Sequence, residues 1–289
     1  MDSAIIISAI LNGLLLGGIY TLVSCGLTLI YGVLHIINFA HGSFLMLAMF
    51  GVYYLLTIGH VDPYLSIFIL VPVMYLTGYL LFKWLIGKLS SGRDENILLI
   101  TLGISIFIEN LALMFFKGDS RTIAVAYSDQ MVEIGPTLIP LTKLISFACA
   151  MLLCSGLGLF IKYTDTGKSI RAVAKEKMGA RLVGLDVDKI YAISFGIGLA
   201  TLGAAACLLM PIFYVSPTIG HVFILVAFTV VVLGGMGSFL GALVGGLIVG
   251  LTESFGGLYL GESLGQIGIS VIFILILLLR PVGLFGASK

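Results

Sequence analysis

The first 82 residues of the chain contain no Lys or Arg and consist mainly of long apolar runs. An α-helix needs about 20 predominantly apolar residues to cross the hydrocarbon core of a bilayer. Only 10% of the 289 residues are charged, whereas a soluble domain carries about 25%. A soluble fold with so few charges would expose apolar surface on every side. The sequence therefore predicts an all-α, polytopic transmembrane helical bundle.

Apolar runs predict about nine crossings, with eight to ten possible, in a single transmembrane domain that covers residues 1–289. Glycine interrupts some of these runs, so the bundle is expected to contain discontinuous helices, and one segment could be re-entrant. The predicted segments are 5–30, 33–57, 64–82, 97–116, 143–161, 190–212, 220–235, 238–256 and 264–280.

The distribution of basic residues predicts the orientation. With nine crossings, twelve of the 15 Lys and Arg residues fall on one side of the membrane, together with the C-terminus. Lys and Arg collect in cytoplasmic loops, so the C-terminus is predicted to be cytoplasmic and the N-terminus external. The twelve are Lys83, Lys88, Arg93, Lys162, Lys168, Arg171, Lys175, Lys177, Arg181, Lys189, Arg280 and Lys289.

The sequence argues against an enzyme. No loop is long enough for a soluble catalytic domain, and no G-x-x-x-x-G-K-[ST] phosphate-binding loop is present. If ATP is used, another subunit must therefore bind it. The formal net charge of +1 gives no sign of nucleic-acid binding. The four cysteines lie in apolar runs without metal-ligand spacing, so they are interpreted as packing residues.

Residues 162–189 form the only long polar stretch on the predicted inner side. A helix is predicted over about 168–183, with Asp165 or Thr166 as its N-cap and Gly184 at its end. It could be an ordinary positive-inside loop, a docking helix for a cytoplasmic partner, or an interfacial helix on anionic lipid. Apolar residues follow helical spacing on one side, and basic residues cover much of the rest. The apolar set is Ile170, Val173, Ala174, Met178, Leu182 and Leu185, and the basic set is Lys168, Arg171, Lys175 and Arg181.

A glycine-rich segment, residues 230–250, carries glycines at intervals of four. Small residues at that spacing let helices approach closely in lipid, so helix packing is the leading interpretation. The denser run at 234–237 is different, because it weakens a helix and frees backbone groups that must be satisfied inside protein or along a cavity. Gly-Ser-Phe occurs in both halves of the chain, at 42–44 and 237–239. Paired interruptions of this kind point to a substrate site in a transporter.

Polar side chains also interrupt the apolar run around residues 35–43. His35, Asn38 and His41 are expensive in a membrane, where such groups generally face a bundle interior or a wet cavity. Packing and functional roles both remain open for them. No metal site is expected, because imidazoles six residues apart do not share one helical face and no carboxylate or Cys lies nearby.

Two carboxylates, Glu109 and Glu253, fall within or at the ends of predicted spans. Intramembrane acids suggest function by default, although Glu253 lies near the external end, where hydration would explain it. A channel or an ion-driven secondary carrier that uses Glu109 with His35 or His41 is therefore one alternative. A structural membrane scaffold is another.

Three separated segments carry the motifs of one known family. The first has Asn12-Gly13, Gly17-Gly18-Ile19-Tyr20, Gly26-Leu27, Tyr31-Gly32 and Ile37-Asn38-Phe39-Ala40-His41-Gly42; the second has Arg171-Ala172-Val173-Ala174, Ala180-Arg181-Leu182-Val183-Gly184-Leu185 and Val187-Asp188; the third is the glycine-rich block 230–254. In this order they resemble the permease subunits of branched-chain amino-acid ABC transporters, a family of hydrophobic amino-acid uptake systems.

The resemblance implies a heteromeric importer in the inner membrane. This chain would pair with a second permease subunit and two cytoplasmic ATP-binding subunits, and an external solute-binding protein would deliver the solute. It implies no cofactor in this chain, since the partners would hold ATP and Mg. It also implies that residues 166–186 couple to an ATP-binding subunit, and that the broken segments line the translocation path.

Two sets of residues are therefore expected to carry function. The expected path residues are Asn38, Phe39, His41, Gly42, Ser43, Phe44, Gly235, Gly237 and Ser238, and the expected coupling residues are Ile170, Arg171, Val173, Ala174, Met178, Arg181 and Gly184. Relatives of this family also carry urea, short amides or other amino acids, so the substrate stays open. Many relatives have an acidic residue after His41-Gly42, where this chain has Ser43.

Overall fold

The computed structural model describes residues 3–89, 94–135, 137–261, 265–280 and 283–286, which are almost entirely helical. The helices are α1 (Ser3–Leu34), α2 (His41–Thr57), α3 (Ile67–Leu81), α4 (Gly87–Leu89), α5 (Asp94–Phe116), α6 (Leu141–Tyr163), α7 (Asp165–Lys175), α8 (Lys177–Leu182), α9 (Val187–Leu209), α10 (Ile219–Gly234), α11 (Phe239–Leu260) and α12 (Gly265–Leu279). A π-helical turn, Phe82–Ile86, joins α3 to α4. Strands β1 (Met131–Ile134) and β2 (Thr137–Pro140) form an antiparallel hairpin.

Each of the predicted apolar segments forms a helix within the described residues. Six helices are long and apolar enough to cross a membrane, and α2, α10 and α12 are shorter apolar helices. The predicted helical membrane bundle is therefore confirmed. The predicted interruptions are present as well, because α2 begins at His41 rather than near residue 33, and residues 235–238 separate α10 from α11.

Helix α1 is the centre of the bundle and contacts α6, α7, α9, α10 and α11. The hairpin packs beside the first half of α1, at what we call the hairpin end of the bundle. Helix α7 packs beside its second half, at what we call the α7 end. Every residue from 17 to 30 is buried. The middle of α1 is thus surrounded by protein rather than by lipid.

Glycine contacts bring α1 and α11 into close contact. A Cβ added at Gly17 would lie 2.7 Å from the Gly246 carbonyl oxygen, and one added at Gly250 would lie 2.5 Å from the Gly17 Cα. Real Cβ atoms do not approach other atoms this closely. The packing interpretation of the glycines at intervals of four is confirmed here, since only small residues allow such an approach between helices.

Segments outside the helices are fixed at the hairpin end by Arg121. The backbones of Arg121 and Val215 exchange two hydrogen bonds of 2.8 Å. These bonds hold the segment between α9 and α10, which carries Phe213. The guanidinium also lies over the rings of Tyr53 and Tyr54, at 5.2 and 5.8 Å from their centroids. Cation–π attraction of this kind adds to the hydrogen bonds.

The α1–α11 contact predicts that the same substitution destabilises the protein at one helical glycine and not at another. Gly250→Ala should lower the free energy of unfolding by about 1–3 kcal/mol, because the new methyl group overlaps the α1 backbone. Gly156→Ala in α6 is the control, since its Cβ would meet nothing within 4 Å. Thermal unfolding in detergent should therefore give a lower Tm for Gly250→Ala only. Equal Tm values would contradict the close contact.

Candidate translocation path and coupling surface

The first interruption, residues 35–40, doubles back along α1. His41 opens α2, and its Nε2 lies 2.9 Å from the carbonyl oxygen of Val23. Val23 is three turns before the end of α1 at Leu34, which corresponds to roughly 16 Å along the helix at about 1.5 Å per residue. Helix α2 therefore begins in the interior of the bundle, and the six residues before it span the depth in between.

Helix α5 holds this interruption through side-chain hydroxyl groups. The backbone N–H of Phe39 donates to Thr101 Oγ1 at 3.3 Å, and the hydroxyls of Ser43 and Ser105 are 2.7 Å apart. Asn38 Oδ1 accepts a hydrogen bond of 3.1 Å from the backbone N–H two residues further on. Polar groups of the chain itself thus replace part of the helical hydrogen bonding that the interruption loses.

The remaining expected path residues of this segment occupy different surroundings. Gly42 packs on Gly220 at the start of α10, where a Cβ added at Gly220 would lie 2.8 Å from the Gly42 carbonyl oxygen. Phe44 is buried among apolar side chains. Phe39 is partly exposed and stacks on Phe228 of α10, with ring centroids 6.0 Å apart. Gly42 and Phe44 therefore have packing contacts, whereas Phe39 faces outward.

The second interruption, residues 235–238, lies at the α7 end. Gly235 and Gly237 have φ values of +95° and +89°, a left-handed region that favours glycine. Gly237 faces Gly32 of α1, and a Cβ added at Gly32 would lie 3.3 Å from the Gly237 Cα. Ser238 caps α11 by accepting a hydrogen bond of 3.1 Å from the backbone N–H three residues on. Gly235 packs against the backbone of residues 285–286.

Four buried side-chain N and O atoms have no hydrogen-bond partner among the described residues. They are Thr28 Oγ1, Asn38 Nδ2, His41 Nδ1 and Glu253 Oε2. Such atoms are rare in proteins, each costs about 1–3 kcal/mol, and water or a ligand commonly satisfies them. Thr28 lies on α1, Asn38 belongs to the first interruption and His41 follows it as the first residue of α2, and Glu253 lies beside Tyr20 of α1. All four are therefore close to α1.

A cavity opens at each end of α1. The hairpin-end pocket has a volume of 880 Å³, and the α7-end pocket has a volume of 220 Å³. Between them, Tyr20, Phe213 and Phe223 form an aromatic layer, with the Tyr20–Phe223 and Phe213–Phe223 ring centroids 6.4 and 5.7 Å apart. The α7-end pocket brings together the second interruption and α7. Its lining includes Thr28, Gly32, Ile170, Arg171, Ala174 and Gly237.

The polar stretch 162–189 forms two helices, so the predicted single helix is wrong. Thr164 caps α7 by accepting from the Gly167 N–H at 3.0 Å, and neither Asp165 nor Thr166 has this role. Glu176 adopts an extended backbone and caps α8 by accepting from the Met178 N–H at 3.1 Å. The helix therefore stops and restarts at Glu176. Gly184 follows α8 with a φ of +86°, as its predicted position at a helix end requires.

The expected coupling residues divide between a buried and an exposed set. Ile170 and Val173 are buried, and Ala174 is half-buried, so these three fix α7 to the bundle. The Arg171 guanidinium donates a hydrogen bond to the Ile161 carbonyl oxygen. Met178, Leu182 and Val183 are instead 63%, 83% and 76% exposed, next to the exposed Arg181. These three apolar residues and Arg181 form a surface that we call the α8 face.

Glu109 has a partner that the sequence did not reveal. Its Oε1 lies 2.9 Å from His221 Nε2, and the two side chains are 20% and 65% exposed. Neither His35 nor His41, the partners considered from the sequence, makes this contact. Glu109 lies one turn beyond Ser105 on α5, so the pair adjoins the Ser43–Ser105 contact. Because 112 residues separate Glu109 from His221, only their shared occurrence in apolar runs could have suggested the pair.

A helical membrane bundle with interrupted helices, buried unsatisfied polar atoms and a cavity at each end is characteristic of transport proteins. The family model described as "Branched-chain amino acid transport system / permease component" matches residues 9–280. The chain belongs to this family of multi-pass membrane permeases.

Curated relatives agree with the family model over nearly the whole chain. The permease protein BraD of the high-affinity branched-chain amino acid transport system of Pseudomonas aeruginosa is 30% identical, over 97% of this chain and 95% of the relative. LivH of the corresponding Escherichia coli K12 system is 29% identical, over 96% and 94%. The probable LivH of Methanocaldococcus jannaschii is 28% identical, over 96% and 92%. No solved structure matches the chain.

Proposed function

We propose that this chain is the permease subunit of an ATP-driven importer for branched-chain or other hydrophobic amino acids. The observation that carries the proposal is the similarity to permeases of branched-chain amino acid transport systems over nearly the full length of both chains. The path would run beside α1, from the hairpin-end pocket past the aromatic layer and the first interruption to the α7-end pocket.

The proposed assembly contains a second permease subunit, two ATP-binding subunits and an external solute-binding protein. The α8 face supports an ATP-binding partner, because three apolar side chains exposed at the end of a membrane bundle favour insertion into a groove of another protein. The Glu109–His221 pair supports a second permease against α5 and α10. An exposed polar pair at membrane depth is expensive against lipid and much less so against protein or a wet path.

Coupling would pass from α7 to the interruptions through the α7-end pocket. Ile170 and Ala174 of α7 line the same cavity as Gly237 of the second interruption. Gly32, which faces Gly237, lies three residues before the first interruption begins at His35. A shift of α7 driven by an ATP-binding subunit would therefore reach both non-helical segments over a short distance.

The Glu109–His221 pair also favours a second candidate, an ion-coupled carrier, since a carboxylate and an imidazole could exchange a proton. Reconstitution into liposomes distinguishes the candidates. We expect the complex with its ATP-binding subunits and binding protein to accumulate leucine only with ATP, and to accumulate urea poorly. Uptake by the isolated chain along a proton gradient would instead establish the carrier, and uptake of urea in preference to leucine would establish a different substrate class.

The α8 face yields a matched pair of variants. Met178→Asp combined with Leu182→Asp should weaken copurification of the ATP-binding subunits and stimulated ATPase activity by about tenfold or more, because two apolar contacts become charged. Met131→Asp makes the same change at an exposed position of β1, at the hairpin end, and should leave both measurements unchanged. Normal ATPase stimulation in the double variant would refute docking through this face.

The predicted orientation places the α7 end in the cytoplasm and the hairpin end outside, since most basic residues lie at the α7 end. A cysteine introduced by Glu133→Cys on β1 should therefore react with a membrane-impermeant maleimide in intact cells. One introduced by Lys177→Cys on α8 should react only after permeabilisation. Both positions are exposed in the structure, so a difference in labelling would report the side of the membrane and not burial within the protein. The reverse labelling pattern would invert the assignment.

A further inference from the structure

The hairpin-end pocket is larger than the α7-end pocket, and its chemistry is not explained by helix packing. Its 880 Å³ is within the range of about 300–1,000 Å³ that is typical of small-molecule sites. The first half of α1, the start of α6, α11, strand β2 and Phe213 form its walls. Helix packing alone would favour apolar walls here, whereas the pocket contains a lysine, a carboxylate and several smaller polar groups.

One part of the pocket carries positive charge. Lys143, in the first turn of α6, donates from Nζ to Asn12 Oδ1 at 2.9 Å. The Asn12 amide in turn donates to the Ser8 carbonyl oxygen at 3.0 Å, which fixes its orientation. A lysine ammonium group that is held in place by a fixed amide suits an anionic oxygen of a ligand.

Another part carries a carboxylate with unused acceptor capacity. Glu253 of α11 lines the pocket, and its Oε2 is buried without a hydrogen-bond partner among the described residues. Glu253 and Asn12 lie at similar depth, because Gly13 packs directly on the α11 backbone at Leu251. The Tyr20 side chain interacts with this carboxyl group, but Oε2 still lacks a donor, and an unsatisfied buried carboxylate oxygen is destabilising. A primary ammonium group supplies both the donor and the opposite charge.

The rest of the pocket is apolar and includes Ala9, Leu16, Phe213 and Leu258. We propose that the hairpin-end pocket binds a free α-amino acid as a zwitterion. Glu253 holds its ammonium group, Lys143, positioned by Asn12, holds its carboxylate, and the apolar wall contacts its side chain. This inference rests on the proposed function, because an amino acid must be the solute for the pocket to lie on its path.

The position of Glu253 connects this site to the rest of the path. Tyr20 lies beside the Glu253 carboxyl group and also packs edge-on against Phe223 in the aromatic layer. Phe223 belongs to α10, whose Gly220 packs on Gly42 at the start of α2. A ligand ammonium group bound to Glu253 would therefore lie next to the aromatic layer, which separates the pocket from the first interruption.

Photolabelling of the assembled transporter in nanodiscs tests the proposal. A leucine analogue with a diazirine in its side chain should label peptides of the pocket walls. Glu253→Gln should lower that labelling by about tenfold, because a charge-assisted hydrogen bond to the ammonium group is lost. Glu133→Gln, which removes an exposed carboxylate from β1 at the same end, should leave it unchanged. Lys143→Gln provides a second variant, and size-exclusion chromatography verifies assembly of each.

Competition identifies the chemistry that the pocket recognises. Leucine should displace the label, whereas 4-methyl-2-oxopentanoate, without the ammonium group, and isoamylamine, without the carboxylate, should compete about tenfold less well. Unchanged labelling in assembled Glu253→Gln and Lys143→Gln complexes overturns the proposal. So does labelling that phosphatidylethanolamine suppresses and leucine does not, since the pocket would then hold a lipid headgroup. Absence of ATP-driven leucine uptake by the unmodified complex would refute the proposed function instead.

Discussion

Backbone hydrogen bonding inside the bilayer is the constraint on which the rest of this structure depends. A chain that leaves helical geometry in hydrocarbon must satisfy its N–H and C=O groups from protein or from a wet cavity. Residues 35–40 meet part of that requirement because α1 and α5 lie against them. The N–H of Phe39 reaches Thr101 on α5, and the ring of His41 reaches the carbonyl oxygen of Val23 on α1. The buried middle of α1 follows from this arrangement, since lipid could not replace either contact.

Glycine allows other helices to enclose the middle of α1, because a side chain at any of these close contacts would push the helices apart. Gly17, Gly26 and Gly42 each face a glycine of another helix, on α11, α9 and α10 respectively. These three contacts fix the helices around α1 and the start of α2. Helix α2 can therefore begin deep in the bundle while its first turn remains against protein. The same positions would be costly for any larger residue, whatever its polarity.

Local composition was sufficient to predict the helical segments and the close glycine packing, whereas tertiary partners were not predictable. Glu109 pairs with His221, and nothing in the local sequence distinguishes that histidine from the other three. The Gly-Ser-Phe repeat placed two serines in equivalent positions, yet Ser43 contacts α5 and Ser238 caps α11. Glu176 ends α7 through its backbone conformation, which the helical spacing of the surrounding apolar residues concealed. Each of these roles depends on tertiary neighbours, and the sequence alone does not show which residues those neighbours are.

On the proposed path, the unsatisfied atoms of Asn38 and His41 would suit passage of a solute better than its storage. Asn38 Nδ2 can donate a hydrogen bond, and His41 Nδ1 can accept one because Nε2 donates to the Val23 carbonyl oxygen; neither atom gives up a bond that the described residues already make. A path must bind a solute strongly enough to admit it and weakly enough to release it. A few isolated polar atoms in an apolar surrounding meet both conditions. A complete set of polar contacts at these residues would hold a solute and slow its passage, and the proposed external solute-binding protein would supply the tight recognition instead.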